Sequence, residues 1–371
     1  MTRPRIPFLS LAPSHAGDET AREVRDAIDR VISRGWFVLG PEVDAFESEF
    51  AEAIGSSHAV GVGTGTDAIA LILRALDIGP GDEVITAPLS AAYTALAVMM
   101  AGARPVFADV DPSRLTLDPE QAARAIGPLT RAILPVHLYG QPADMAAIER
   151  LAARHNLALV EDCCQAHLAT AGGRPVGTIG IAGAFSFYPT KNLGAMGDGG
   201  AVVTNDPALA DRIRRLRNGG QRNRYVHDEF GVNSRLDEMQ AAILRARLPR
   251  LPAWTSRRRT LAARYRSLLA GGPVDVPPEH DPGHVYHLFV VRVRDRAALQ
   301  AHLIASGIET LVHYPVPISR QAAMAGVSPH DCPEAARACD EVLSLPLHPG
   351  LTDDEVADVV TALKGHYACV R

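Results

Sequence analysis

Residues 58–76, HAVGVGTGTDAIALILRAL, are the part of the sequence that most clearly indicates the type of fold. Residues 58–63 form an apolar run of the β type, and residues 67–76 repeat their apolar side chains with helical spacing. The glycines and threonines between the two runs allow the chain to turn sharply from a strand into a helix. The pattern predicts a strand followed directly by a helix, which is one unit of a parallel sheet.

The same alternation continues along the first half of the chain. Further β-type runs lie at 83–86, 105–110, 132–138, 157–162, 184–188 and 201–204, and helical patterns lie at 93–100 and 145–155. Strands that alternate with helices of this length predict an α/β fold with a mostly parallel, seven-stranded sheet covered on both faces. Ligands of such sheets bind beyond the carboxyl ends of the strands, so residues that end these runs are candidates for chemistry.

The pattern changes near residue 249. Long helical patterns at 236–251 and 254–269 are interrupted by Leu251-Pro252, and they precede a strand-like run at 285–293 and helices at 297–306 and 353–364. We therefore predict a large domain of residues 1–248, which includes an N-terminal arm, and a smaller α+β domain of residues 249–371.

The composition excludes several classes of partner. The 371 residues are 47% hydrophobic with a formal net charge of −5 and no long basic stretch, which argues against a nucleic-acid partner. No apolar run reaches the length of about 18 residues that predicts a membrane span, and the five cysteines form no C-x-x-C pair. We expect a cytoplasmic globular protein with reduced thiols, in which Cys163 and Cys164 are small buried core residues.

Only two of the 37 Lys and Arg side chains are lysines, Lys191 and Lys364. An arginine keeps the charge of a lysine, but its guanidinium stays protonated and does not become a free amine. A lysine amine condenses with a carbonyl to give a Schiff base. The retention of Lys191 within FSFYPTKNLG, residues 185–194, therefore indicates amine chemistry. The alternative is the chance survival of a surface lysine, which is our interpretation of Lys364.

Three further features accompany this lysine. The glycines and hydroxyls of GTGT at 63–66 offer an anion site at a helix start, with a plain helix cap as the alternative. The strand-like LVED at 159–162 ends in two acids, of which only one faces a pocket; we favour Asp162, which would pair with a pyridinium nitrogen, over an N-cap role. The Ser186 hydroxyl is able to reach a phosphate. In this chain order the features fit pyridoxal phosphate (PLP), and no metal is implied.

Six motifs resemble those of a known family. They are VEDCCQAH at 160–167, FSFYPTKNLG at 185–194, GDGG at 197–200, GVNSRLDEMQAA at 231–242, HYPVP at 313–317 and LSLPLH at 343–348. Together they resemble the DegT/DnrJ/EryC1/StrS family of PLP-dependent sugar aminotransferases over nearly the whole chain. The resemblance implies the fold-type I architecture of aspartate aminotransferase and a homodimer with shared active sites.

The resemblance also implies roles for individual residues. Lys191 carries the Schiff base with the cofactor and afterwards acts as the base that moves the substrate proton. Asp162 pairs with the pyridine nitrogen, and Gln165 lies near the phenolic oxygen. The remaining contacts are to the phosphate from Gly65, Thr66 and Ser186, to the phosphate of the neighbouring subunit from Asn233, and to the substrate from His313 and Tyr314.

One segment departs from the family pattern. The family places an aromatic residue over the cofactor ring in a segment that ends Thr-Phe or Thr-Trp, whereas APLSAAYT at 87–94 has Ala91 at that place. Tyr93, two positions later, is the candidate for stacking on the ring. The alternative is that Tyr93 is an ordinary core residue at a helix start.

The resemblance implies a reaction in two halves. L-Glutamate gives its amino group to PLP and leaves as 2-oxoglutarate, and pyridoxamine phosphate then aminates a nucleotide-linked keto sugar. The segments at 217–221, 225–242 and 313–317 are most similar to the branch that converts a dTDP-3-keto-6-deoxyhexose to a dTDP-3-amino-3,6-dideoxyhexose in deoxyamino sugar biosynthesis. Alternative acceptors are 4-keto nucleotide sugars and keto-cyclitols. The intact Lys191 argues against a sugar dehydratase, which has histidine there. Lys191, Asp162 and Gln165 together argue against a non-catalytic regulatory protein.

Overall fold

The structure, a computed structural model, describes residues 5–11, 17–327 and 331–368. These residues form thirteen strands: β1 (His58–Val62), β2 (Glu83–Thr86), β3 (Arg104–Phe107), β4 (Thr130–Leu134), β5 (Ala158–Asp162), β6 (Thr170–Ala171), β7 (Arg174–Pro175), β8 (Ala182–Ser186), β9 (Gly200–Thr204), β10 (Gln221–Asn223), β11 (Val226–His227), β12 (Phe289–Arg292) and β13 (Val342–Leu345). They also form twelve α-helices: α1 (Gly17–Arg34), α2 (Pro41–Ile54), α3 (Gly65–Ala75), α4 (Tyr93–Met100), α5 (Pro119–Ala125), α6 (Met145–His155), α7 (Pro207–Leu216), α8 (Glu238–Arg247), α9 (Leu251–Leu269), α10 (Arg296–Ala305), α11 (Pro333–Glu341) and α12 (Asp353–Ala368). None of the described helices combines the length and apolar character needed to cross a membrane.

Seven strands build one sheet in the order β1-β9-β8-β5-β4-β2-β3. Neighbouring strands from β8 to β3 are parallel, whereas β9 runs antiparallel between β1 and β8. These are the seven runs found in the sequence, so the predicted mostly parallel α/β sheet is confirmed. The run at 132–138 is a strand only to Leu134, because Pro135 follows and has no N–H for the ladder.

Alternate residues of the strands face opposite sides of the sheet. Val84 and Val160 pack in the core on the side of α3 and α4, whereas Ile133 and Leu159 pack in the core on the other side. Asp162 is two residues beyond Val160 and therefore lies on the α3 side. This side is where the start of α3 and the end of β5 meet.

The acid on the opposite side, Glu161, forms hydrogen bonds that stabilise the fold. Its carboxylate is fully buried and accepts three backbone N–H groups of the 177–180 segment and Nε2 of His137, which is 3.1 Å away. Because Nδ1 of His137 accepts the N–H of Ala143, the imidazole proton lies on Nε2 and is donated to Glu161. Glu161 thus anchors β5 to a neighbouring loop and leaves only Asp162 for the cavity.

The C-terminal segment differs from the sequence prediction. A 3₁₀ turn, Leu248–Arg250, separates α8 from α9, and Pro252 lies in the first turn of α9 rather than interrupting a helix. A proline is tolerated there because its missing N–H has no partner in a first turn. The strand predicted at 285–293 begins only at Phe289, since Tyr286 has a φ of 47°, outside the extended region. The unpredicted β13 pairs antiparallel with β12. The domain boundary at 249 coincides with the 3₁₀ turn and stays a prediction.

Candidate active site

A cavity of about 540 Å³ lies beyond the carboxyl ends of β5 and β8. Nine of the ten predicted site residues border it: Gly65, Thr66, Tyr93, Asp162, Gln165, Ser186, Lys191, His313 and Tyr314. The tenth, Asn233, is exposed and does not border the cavity within this chain. The fold thus gathers into one site residues that are separated by up to 249 positions in the sequence, from Gly65 to Tyr314 (314 − 65 = 249).

Lys191 lies in the loop between β8 and β9, where its backbone N–H donates to the Tyr188 carbonyl oxygen at 2.8 Å. Burial lowers the pKa of its amine, and the nearby Cys164 thiol and Asp162 carboxylate partly oppose this effect. A larger fraction of this amine is therefore neutral near pH 7 than in a fully hydrated lysine. Lys364 is exposed on α12, in agreement with its interpretation as a surface lysine.

Asp162 ends β5 and is 4% exposed. Its Oδ2 accepts the Thr94 hydroxyl at 2.8 Å, and its Oδ1 accepts the backbone N–H of Cys164 at 3.1 Å. No cationic side chain of the described residues forms an ion pair with it. A carboxylate this deeply buried is costly without a cation, so the site fits a ligand with a cationic ring. The alternative of a helix N-cap is wrong, because a turn rather than a helix follows β5.

The start of α3 forms a narrow cradle. Thr64 caps the helix by accepting the Asp67 N–H at 3.0 Å, so its own hydroxyl hydrogen stays available as a donor. A Cβ added at Gly65 would lie 2.7 Å from Sγ of Cys164 and 2.8 Å from Cβ of Ser186. A helix N-terminus, a close backbone and the Ser186 hydroxyl together suit a phosphate group.

Gln165 has a fixed orientation in the cavity wall. Its Oε1 accepts the Tyr139 N–H at 2.7 Å, so the amide NH₂ faces the cavity and donates to the Tyr314 hydroxyl at 3.1 Å. One hydrogen of that NH₂ remains for a ligand oxygen, which suits the phenolic oxygen of PLP. Because the Tyr314 oxygen accepts from Gln165, its own proton is free to be donated to a ligand.

The segment at 87–94, which departs from the family pattern, contributes both Ala91 and Tyr93 to the border of the cavity. Tyr93 is the first residue of α4 and is 65% exposed, so it is not a core residue. Stacking of Tyr93 on the cofactor ring stays a prediction.

The sequence interpretation of Cys164 as a buried core residue is wrong: Cys163 is fully buried, but Cys164 follows the end of β5, is half-buried and borders the cavity.

Sequence reasoning missed two side chains of the site. Thr94 orients Asp162, and His287 borders the cavity next to Lys191. The only local signal for Thr94 is its place one turn after Ser90, whose hydroxyl lies 3.2 Å from that of Thr94. His287 carries no motif that distinguishes it from a core histidine.

Replacement of Gly65 by alanine is expected to weaken PLP binding about 10- to 100-fold, because the added methyl group overpacks the cradle. The measurement is a fluorescence titration of the cofactor-free protein with PLP. The matched control is Gly365→Ala in α12, where the added Cβ meets no atom within 4 Å and PLP affinity should not change. An unchanged PLP affinity in the Gly65→Ala protein would show that the phosphate does not bind in this cradle.

The chain is similar to known sugar transaminases along almost its whole length. The DegT/DnrJ/EryC1/StrS aminotransferase family matches residues 18–364. The dTDP-3-amino-3,4,6-trideoxy-alpha-D-glucose transaminase of Streptomyces venezuelae is 50% identical over 367 residues, which covers 97% of this chain and 96% of that protein. The dTDP-3-amino-3,6-dideoxy-alpha-D-galactopyranose transaminase of Aneurinibacillus thermoaerophilus is 44% identical over 359 residues, which covers 96% of this chain and 98% of that protein. The crystal structure of S. venezuelae DesV in complex with a ketimine intermediate has a TM-score of 0.93 at 50% identity and covers 98% of each chain.

Proposed function

Because the chain belongs to the DegT/DnrJ/EryC1/StrS aminotransferase family, we propose that it moves an amino group from L-glutamate to C3 of a dTDP-linked 3-keto-6-deoxyhexose. The product is then a dTDP-3-amino-3,6-dideoxyhexose. The observation that carries the proposal is the buried carboxylate of Asp162, which forms no ion pair with any described residue and lies in the same cavity as the amine of Lys191. When bound, PLP supplies the carbonyl that takes up the amino group and a ring that accepts electrons as the Cα–H bond breaks.

The residues around the cavity bind and orient the cofactor. Asp162, held by the Thr94 hydroxyl, keeps the ring nitrogen protonated through an ion pair. The N-terminus of α3 and the Ser186 hydroxyl hold the phosphate. The NH₂ group of Gln165 would donate to the phenolic oxygen of the cofactor.

Lys191 moves the proton in both halves of the reaction. Nζ, once free of its covalent bond to the cofactor, takes the proton from Cα of glutamate in the first half and gives a proton to C3 of the sugar in the second. An amine with a pKa lowered by burial suits this task, because it loses its proton more readily than a fully hydrated lysine does. Arginine at this position would be charged throughout.

The choice of acceptor rests on similarity and on the far wall of the cavity. Two similar proteins are named for 3-amino sugars carried on dTDP. In this chain, His313 and Tyr314 border the cavity, and the Tyr314 hydroxyl has a proton to donate to a sugar oxygen. The 4-keto sugars and keto-cyclitols are the alternatives that the experiment below distinguishes.

We also propose that two copies of the chain share their active sites. Asn233 is exposed, and its backbone bridges to Asn218, which places it on the surface rather than in its own cavity. Trp36 and Phe37, 54% and 52% exposed, supply apolar surface for a second copy to cover. In such a homodimer the Asn233 amide reaches the phosphate bound by the other copy.

The test is the reverse reaction. The enzyme is incubated with PLP, 2-oxoglutarate and each member of a panel of dTDP-amino sugars and aminocyclitols, and glutamate formation is measured. We expect dTDP-3-amino-3,6-dideoxyhexoses to react at least about tenfold faster than the 4-amino isomers, because a pocket built around one position of the amine leaves polar groups unpaired with the other. Preference for a 4-amino sugar or a cyclitol overturns the acceptor, and no glutamate from any amine overturns the transaminase.

A further inference from the structure

His287 is a buried side chain that the chemistry above does not use. It is 7% exposed and borders the same cavity as Lys191. Its Nδ1 lies 3.1 Å from Oδ1 of Asn192, the residue after Lys191, and Nδ2 of Asn192 donates to the Val285 carbonyl oxygen at 3.4 Å. Because a carbonyl only accepts hydrogen bonds, the NH₂ of Asn192 faces Val285 and its oxygen faces His287.

This arrangement fixes the tautomer of His287. The amide oxygen of Asn192 accepts, so Nδ1 of the imidazole carries the proton and Nε2 keeps a bare lone pair. Burial first, and then the charges of Lys191 and Arg258, lower the pKa of His287 well below its usual range. The other titratable groups that face the ring are His313 and His167, and both act in the same direction. The lowered pKa therefore favours the neutral form of the imidazole near pH 7.

The bare nitrogen opens to the cavity. No group of the described residues forms a hydrogen bond with Nε2 of His287. This nitrogen does not belong to the fully buried polar atoms without a partner, so it is accessible. Since the residue is buried and borders the cavity, the access to Nε2 comes from the cavity itself. A neutral acceptor thus lies in the wall shared with Lys191.

We infer that His287 is a positioning residue for Lys191: its Nε2 accepts a hydrogen bond from the Lys191 amine when that amine is not bonded to the cofactor. The Asp162 carboxylate, which also lies near the amine, already accepts the Thr94 hydroxyl and the Cys164 N–H, and in the proposed function it pairs with the ring nitrogen. The bond holds Nζ in place during proton transfer and transfers no proton itself. This inference rests on the proposed function and deepens it.

Two substitutions separate this role from a structural one. In His287→Asn the side-chain amide occupies the place of Nδ1 and still donates to Asn192, but the acceptor at the Nε2 position is lost. In His287→Gln an amide oxygen takes the place of Nε2, and the bond to Asn192 is lost. The inference requires the Gln variant to resemble the wild type and the Asn variant to be impaired, whereas a structural role requires the reverse.

The primary readout is the pKa of Lys191 in the cofactor-free protein. Labelling lysine with ¹⁵N gives only two Nζ signals, because the chain has two lysines, and Lys364 serves as the internal reference. We expect His287→Asn to lower the Lys191 pKa by about one unit, since an acceptor stabilises the charged amine, and His287→Gln to leave it nearly unchanged. Equal pKa values in all three proteins overturn the inference, whatever the sugar specificity.

Two further measurements complete the test. In the holoenzyme, the half-reaction with L-glutamate is expected to slow about 10- to 100-fold in His287→Asn and to stay within about threefold of wild type in His287→Gln. In the wild-type protein, ¹⁵N shifts of histidine report the tautomer without any substitution, and a protonated Nε2 in His287 overturns the inference. If the ¹⁵N signals of Lys191 and His287 are as expected but the enzyme does not prefer dTDP-3-amino sugars, only the proposed acceptor is overturned.

Discussion

The Lys191→Arg protein is expected to lose at least about 10⁴-fold in the rate of amino transfer from L-glutamate. The guanidinium remains protonated, so it neither bonds covalently to the cofactor nor takes a proton from the substrate. The loss falls on the chemical step, because the cradle at Gly65 and the carboxylate of Asp162 are unchanged. The measurement is the rapid-mixing absorbance change of the holoenzyme with L-glutamate in a single turnover.

The chain provides its own control for this experiment. Lys364→Arg makes the same chemical change on the exposed face of α12 and should keep the wild-type rate. Borohydride treatment followed by peptide mass spectrometry should find the cofactor on the peptide with Lys191 in the wild type and on no peptide in Lys191→Arg. Turnover of the arginine variant within about tenfold of wild type would refute the assignment of Lys191 as the proton carrier.

Asp162→Asn is expected to lower kcat/KM about 160- to 5,000-fold, since removing one partner of a buried ion pair costs about 3–5 kcal/mol. The neutral amide does not keep the ring nitrogen protonated, so the ring accepts electrons less well. The measurement is steady-state kinetics with L-glutamate and the best keto sugar, with PLP affinity measured separately so that binding and chemistry are distinguished.

The sign of the stability change gives this prediction a second check. Without cofactor, the buried Asp162 carboxylate forms no ion pair in the described part of the chain, and the Lys191 amine lies nearby without pairing to it, so Asp162→Asn should raise the Tm of the cofactor-free protein or leave it unchanged. With PLP bound, the same substitution should lower the Tm relative to wild type. The milder control is Thr94→Val, which keeps the charge but removes its hydroxyl partner, and we expect about a tenfold loss. A lower Tm for Asp162→Asn in both forms would show a structural role instead.

The large domain was predictable because strands buried on both faces appear as continuous apolar runs. The runs at 58–63 and 157–162 mark β1 and β5 within one residue at each end. The direction of β9 is not encoded in its five residues: it follows from the loop that returns the chain beside β8. β13 was missed because its four residues form a strand only against β12, which lies about fifty positions earlier.

The candidate site was predictable where the chemistry of a side chain, or the two-residue period of a strand, singles out a residue. Alternation correctly assigned Asp162 and Glu161 to opposite faces, and the rarity of lysine singled out Lys191. Cys164 was misplaced because the period-two rule ends with the strand, one residue before the turn that exposes this thiol to the cavity. His287 is recognisable only from contacts, because its tautomer depends on an amide nearly one hundred positions away. The role predicted for Asn233 involves a second copy of the chain and stays a prediction.

The antiparallel β9 affects how readily the loop with Lys191 opens. Together with β8 it closes a hairpin around the loop that carries Lys191, and both strands are inner members of the central sheet. A Cβ at Gly200, the first residue of β9, would lie 2.4 Å from the Thr64 carbonyl, so the same strand also closes the cradle. We therefore expect the loop that carries Lys191 and the cradle at Gly65 to open only together with the central sheet. We therefore expect a cofactor bound at this site to be released by chemistry at the Lys191 amine rather than by fluctuations of the loop.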